Sequence, residues 1–183
     1  MTDAGEKLNC MPDQYHHAFT RWLTRLREDI DVDFNPFAPD PGVSGWLLSL
    51  FRDNGELTTG HLAPYVMARR TVLAESAVAA LTRDIRAAGH PAPDIVIDVM
   101  EPDPQFSLGK VSVESTHIQS VDAQGVLAEA ADGVQTYLAC PGRTVWPTCP
   151  DHGLGVHPSA ASGVAEWVCS AGHILRPICQ DLR

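Results

Sequence analysis

A chain of 183 residues can build one domain with a full hydrophobic core but not two large domains. Its 44% hydrophobic and 20% charged residues exclude a disordered chain. The formal net charge of -10, from 13 Lys and Arg against 23 Asp and Glu, excludes a general nucleic-acid binder and a partner for anionic membranes, since both need a cationic face. The same charge would steer a protein partner that carries a basic patch.

Positions 1–12 are polar and lack periodicity, which predicts a loose terminus. From Tyr15, the apolar residues Tyr15, Phe19, Trp22, Leu23, Leu26 and Ile30 fall on one helical stripe, with Asp13 as N-cap. Three prolines in the stretch 31–42 predict a linker loop. A short helix capped by Ser44 follows, burying Trp46, Leu47, Leu50 and Phe51 and stopping at Gly55. A long helix is expected from about Leu62 to Ala88, with Pro64 in its first turn and Gly89 after its end. Ile95 to Met100 is a nearly unbroken β-branched run, which predicts a strand covered on both faces. Asp98 is its one polar intruder, a carboxylate that is either hydrogen-bonded in the interior or at an exposed edge. Lys110 to Glu114 alternates and reads as its antiparallel partner. A further helix spans about Asp122 to Ala139, where Gly133 would cost roughly 1 kcal/mol against Ala. Helices, a strand pair and a helix add up to the α+β class, with an α+β domain over 13–143 and a C-terminal element over 144–183.

No apolar run reaches the roughly 18 residues of a membrane span, and the first twelve residues lack the charged and apolar regions of a secretory signal, so a cytoplasmic location is expected. Five cysteines, Cys10, Cys140, Cys149, Cys169 and Cys179, are an odd number in a long chain and fit thiols or thiolate ligands better than a disulfide framework, although one bridge stays compatible.

The most specific pattern lies near the C-terminus. Thr144 to Thr148 leads into Cys149-Pro150-Asp151-His152-Gly153, and Ala165 to Val168 leads into Cys169-Ser170-Ala171-Gly172-His173. Two strand-like approaches thus each end in a Cys/His pair, which predicts a β-hairpin. The spacings Cys-x2-His and Cys-x3-His, 16 residues apart, match those by which small modules place four ligands on one Zn²⁺. Two ligands so close in sequence can face one ion only across a sharp turn, which Gly153 and Gly172 permit and Pro150 stiffens. The candidate ligands are Cys149, His152, Cys169 and His173, with Cys140, His157 and Cys179 as substitutes. Buried thiols or a disulfide between Cys149 and Cys169, with the histidines as loop residues, is the alternative.

The first pair resembles the zinc-ribbon knuckle Cys-Pro-x-Cys-Gly, with His152 in place of the second cysteine. The second pair departs from it, having no proline, one extra residue, and its glycine before His173. The resemblance implies a zinc-bound element over about 144–179. Residues 129 to 169, with Ala131-Asp132-Gly133-Val134-Gln135, Trp146-Pro147-x-Cys149-Pro150-x-His152 and Trp167-x-Cys169, are also similar to a group of small actinobacterial proteins, a likeness that implies no activity.

Four protein ligands would fill the shell and make the ion structural, so the expected function is a non-enzymatic adaptor or regulatory binding module. If one ligand were absent, Zn²⁺ would be open to water and a metal-dependent hydrolase would follow, with Asp151 or Glu166 as general base. In a third reading the chain is a structural component of a larger assembly, anchored by Trp46 or Phe37. Gly-x-Ser-x-Gly, His-Glu-x-x-His, the phosphate-binding Gly-x4-Gly-Lys and Gly-x-Gly-x-x-Gly are all missing from the sequence.

Overall fold

Periodicity in the first half of the chain becomes three helices that bury their stripes against one another. The structure, a computed structural model, describes residues 13–29, 41–91, 93–103, 107–140 and 144–179; the loose terminus, Phe37 and nearly all of the proline-rich linker lie outside them. Helix α1 (Asp13–Asp29) buries Phe19, Trp22, Leu23 and Leu26 as the spacing predicts. Helix α2 (Pro41–Asn54) begins three residues before Ser44, with Pro41 in the first position, where its missing amide costs nothing. Tyr15, Phe19 and Trp22 pack edge-on or tilted around Phe51, and the Trp22 indole donates to Leu57 O at 2.7 Å. Trp46 is no exposed anchor: it is half-buried, with the Arg69 guanidinium 4.8 Å above its ring.

Helix α3 (Thr59–Ala87) also starts three residues earlier than expected, which moves Pro64 into its second turn. Its end follows the glycine rule. Gly89 takes φ +82, and the His90 and Gly89 amides donate back to Ile85 O and Arg86 O at 3.1 and 3.0 Å, closing the last turn.

The first sheet has order β1-β2-β3, all antiparallel: β1 (Ile97–Met100), β2 (Lys110–Val113) and β3 (Thr116–Ile118). Strand β3 was not expected; it has three residues and follows a tight turn in which Glu114 adopts φ 55. The run 95–100 is not covered on both faces. It forms an edge strand with Val96, Val99 and Met100 each about half exposed, and Asp98 is an exposed residue beside Ser112, not a buried carboxylate. A continuous β-branched run marks a strand without saying how many neighbours it has.

Helix α4 (Ala123–Ala139) is capped by Asp122, whose carboxylate accepts the Gly125 amide at 2.7 Å. It lies so close to β2 that a Cβ on Gly133 would sit 2.3 Å from Val113 O. The propensity argument therefore reverses sign at this position. Gly133→Ala is expected to lower stability by about 2 kcal/mol in urea unfolding, overpacking outweighing the gain in helix propensity; equal or higher stability would show that the backbone yields.

Polar groups pin the β3–α4 loop between the two long helices. Arg69 Nε donates to Val121 O at 2.6 Å, and Arg70, 1% exposed, donates through Nη2 to Gln119 O and through Nε to Ser120 O. From the other side Glu129 accepts the Gln119 and Ser120 amides and the Ser120 hydroxyl, the last at 2.8 Å. Burial draws the Arg70 guanidinium down to about 10 against the pull of Glu129, so it stays a cation at neutral pH. Burial also raises the Glu129 carboxyl, against the bonds from Ser120 and Gln119.

The C-terminal element is a three-stranded meander, not a hairpin: β4 (Val156–Ser159), β5 (Glu166–Cys169) and β6 (Ile174–Pro177), in order β4-β5-β6. Residues 144–148 form no strand and contribute a single bridge, Thr148 to Gly155. The meander joins the core of the chain. Trp146, Val156, Ala165, Trp167 and Ile178 share one buried cluster with Val126, Val134 and Leu138 of α4. Gln135 Nε2 donates to Trp146 O and Val156 O at 3.2 and 2.7 Å, and Gln124 Oε1 accepts the Ala165 amide at 2.8 Å. With helices first, then a small antiparallel sheet, a helix and a second such sheet, the fold is α+β.

Candidate metal centre

Two tight turns lie side by side because β4 and β5 are antiparallel. Strand β4 begins just after the first turn, β5 ends just before the second, and Val156 faces Cys169 across the pair. In the first turn the Gly153 amide donates to Cys149 O at 2.8 Å and the Cys149 amide donates to Leu154 O at 2.8 Å. In the second the Gly172 amide donates to Cys169 O at 2.7 Å and the Cys169 amide to His173 O at 2.9 Å. Gly153 and Gly172 have φ +64 and +90, and neither has an atom within 4 Å of where a Cβ would be. Their role is backbone conformation, not space.

The turns bring Cys149, His152, Cys169 and His173 together, with one ligand atom from each lying within 4.8 Å of all the others. Cys149 Sγ is 3.4 Å from His152 Nδ1 and 3.6 Å from His173 Nε2, and Cys169 Sγ is 3.5 Å from His152 Nδ1. Bonds of about 2.3 Å to sulfur and about 2.05 Å to nitrogen, at tetrahedral angles, set S···N edges of about 3.6 Å. Three of the four S···N separations match the edges of such a tetrahedron, and the group could hold a metal ion. Both cysteines are free thiols, 1% exposed, so the disulfide alternative does not hold. His152 is exposed and His173 half-buried, which places the sulfurs on the core side and the imidazoles toward solvent. The Ala171 amide donates to Cys169 Sγ at 3.4 Å, a contact that the residue pattern alone did not reveal. Asp151 Oδ2 stands 3.8 Å from His173 Nε2.

The chain matches no family model, no curated protein and no solved structure. What the centre can do follows from its own donors.

The substitute ligands stay apart from it. Cys140 is exposed after α4 with its thiol 3.6 Å from Thr136 O, His157 is exposed on β4, and Cys179 is buried beside Asp84 and Arg176. Cys10 lies outside the described residues. Glu166, offered as a base for an open centre, begins β5 three residues before Cys169, which along a strand is about 10 Å, and it accepts the Ser162 hydroxyl at 2.8 Å.

Burial, reinforced by Asp84, pushes the Cys179 thiol up to about 12. At pH 8 only about one molecule in ten thousand would then carry that thiolate. Iodoacetamide followed by peptide mass analysis is expected to label exposed Cys140 first and to leave Cys179 unmodified until the chain is denatured. Early modification of Cys179 would mean that this end of β6 opens readily.

Proposed function

We propose that Cys149, His152, Cys169 and His173 bind one Zn²⁺ as a structural staple of the meander, and that the protein is a non-catalytic adaptor or regulatory module for a partner with a basic patch. The observation that carries this reading is the match between three S···N separations of 3.4 to 3.6 Å and the edges of a tetrahedral zinc shell, among four protein ligand atoms that all lie within 4.8 Å of one another. Two thiolates and two imidazoles form a donor set soft enough to select zinc over magnesium or calcium. A full shell has no position for a water to be activated, and Glu166 is out of reach, so the hydrolase reading loses both its nucleophile and one of its two bases. Three strands with short edges gain folding free energy from the ion, since a small sheet is marginal alone. A reducing compartment such as the cytoplasm would keep the thiols available. The partner's sign follows from the net charge of -10.

Metal analysis of protein purified without chelators is expected to return one zinc per chain. Exchange with cobalt(II) should give the strong visible bands of a tetrahedral ion together with thiolate charge transfer. Absence of metal, or the weak spectrum of a six-coordinate ion, would overturn the proposal.

A further inference from the structure

Strand β1 pairs with β2 on one side, and among the described residues no strand pairs with its other side. The direction of its free groups can be read from the ladder. The Glu114 amide donates to Val96 O at 2.9 Å, so Val96 turns its backbone groups toward the β2 side. Antiparallel alternation then gives Asp98 and Met100 the same direction and aims the N–H and C=O groups of Ile97 and Val99 outward. Within this short strand Asp98 is the one charged side chain that guards the edge. Val96, Val99 and Met100 are 52%, 49% and 49% exposed, and no lysine or proline stands within the strand. Ile97 and Val99 lie opposite Val113 and Val111, both fully buried, so a further strand would extend the core face over them.

Charge selects what such a strand would be. Asp94, Asp98 and Glu101 are all exposed on and beside β1. A second copy of the chain pairing here would bring two such sets of carboxylates together, whereas an extended segment with Lys or Arg on the Asp98 face, their methylene stems covering Val96 and Met100 on that same face, and apolar residues on the Val99 face meets both surfaces favourably. We infer that the outer edge of β1 is a docking site for an extended segment of a partner protein that alternates basic and apolar residues and adds a fourth strand to the first sheet. This rests on the binding-module reading above and names its partner class, but it uses a sheet remote in sequence from the metal centre.

The test uses full-length protein, with its zinc content measured in every sample, and the peptide acetyl-Lys-Val-Arg-Val-Lys-amide as probe. Titration followed by amide chemical shifts is expected to perturb residues 96–101. Val99→Pro removes an outward N–H while leaving the β2 ladder intact, and should weaken binding by at least about tenfold, the equivalent of one to two hydrogen bonds. Asp98→Lys should weaken it by about fivefold or more and shift preference to the peptide with Glu in place of Lys and Arg. No binding, or binding unaffected by Val99→Pro, overturns the inference. So does a concentration-dependent dimer that Val99→Pro dissociates and the peptide does not, which would assign the edge to a second copy. If the edge fails while zinc is present, the staple still stands; if zinc is absent while the peptide binds at 96–101, the staple fails and the edge stands.

Discussion

A Cys169→Ala chain is expected to be isolated without zinc and to lose ordered structure over 144–179. Its stability deficit should be at least about 4 kcal/mol, because removing one ligand forfeits the metal's folding free energy and also leaves a void under the meander. Chelation of the unaltered protein should give a smaller loss of the same kind, since the core contacts of Trp146, Trp167 and Ile178 remain. His152→Cys tests the ligand role more sharply. It offers a third sulfur at an exposed corner of the same turn and is expected to retain one zinc, where His152→Ala does not. Amide spectra and urea midpoints measured with and without a chelator read these outcomes. A Cys169→Ala chain with the same midpoint and the same meander resonances would mean that these four side chains meet for packing alone.

Arg70→Met should destabilise the protein by about 3 to 5 kcal/mol at neutral pH, since methionine fills much of the volume but leaves the carbonyls of Gln119 and Ser120 without their buried donor and the Glu129 carboxylate without its nearby positive charge. The pH dependence separates charge from shape. Burial already raises the Glu129 carboxyl, and loss of Arg70 removes a charge that lowers it, so in the variant the folded carboxyl rises further above its unfolded value. A carboxyl raised on folding favours the native state below its unfolded pKa, and that contribution is lost as pH climbs through the folded one. The deficit of Arg70→Met should therefore shrink on acidification toward pH 4 and be fullest at pH 7 and above, and a second change, Glu129→Gln, should recover part of it at neutral pH. A deficit independent of pH would assign the whole effect to packing.

Helical stripes and glycine stops were legible in the sequence because both are local: Phe19 to Leu26 repeats within one helix, and Gly89 closes a turn through its own neighbours. Cys149, His152, Cys169 and His173 were legible for a similar reason, since each pair needs only its own bend to aim two side chains the same way. What local reading missed depends on partners distant in the chain. The β-branched run 95–100 could not announce that, among the described residues, a strand would pair with it on one side alone. Gly133 looked like a helix weakness because the carbonyl of Val113 that excludes a side chain there lies 20 residues earlier. Arg69, Arg70 and Glu129 carried no motif, and their purpose emerges only when two helices close around residues 119–121. Strand β3 has just three residues, too few to show an alternation, and β6, Ile174-Leu175-Arg176-Pro177, does not alternate apolar with polar residues.

The four tryptophans divide between the two buried clusters, with Trp22 and Trp46 among the first helices, and Trp146 and Trp167 edge to face at 5.6 Å beneath the meander. The protein thus carries two optical probes. A red shift in emission on adding a chelator is expected to come from the second pair, and a later shift on heating from the first, so a chain carrying both Trp22→Phe and Trp46→Phe would let fluorescence follow the meander alone without a label.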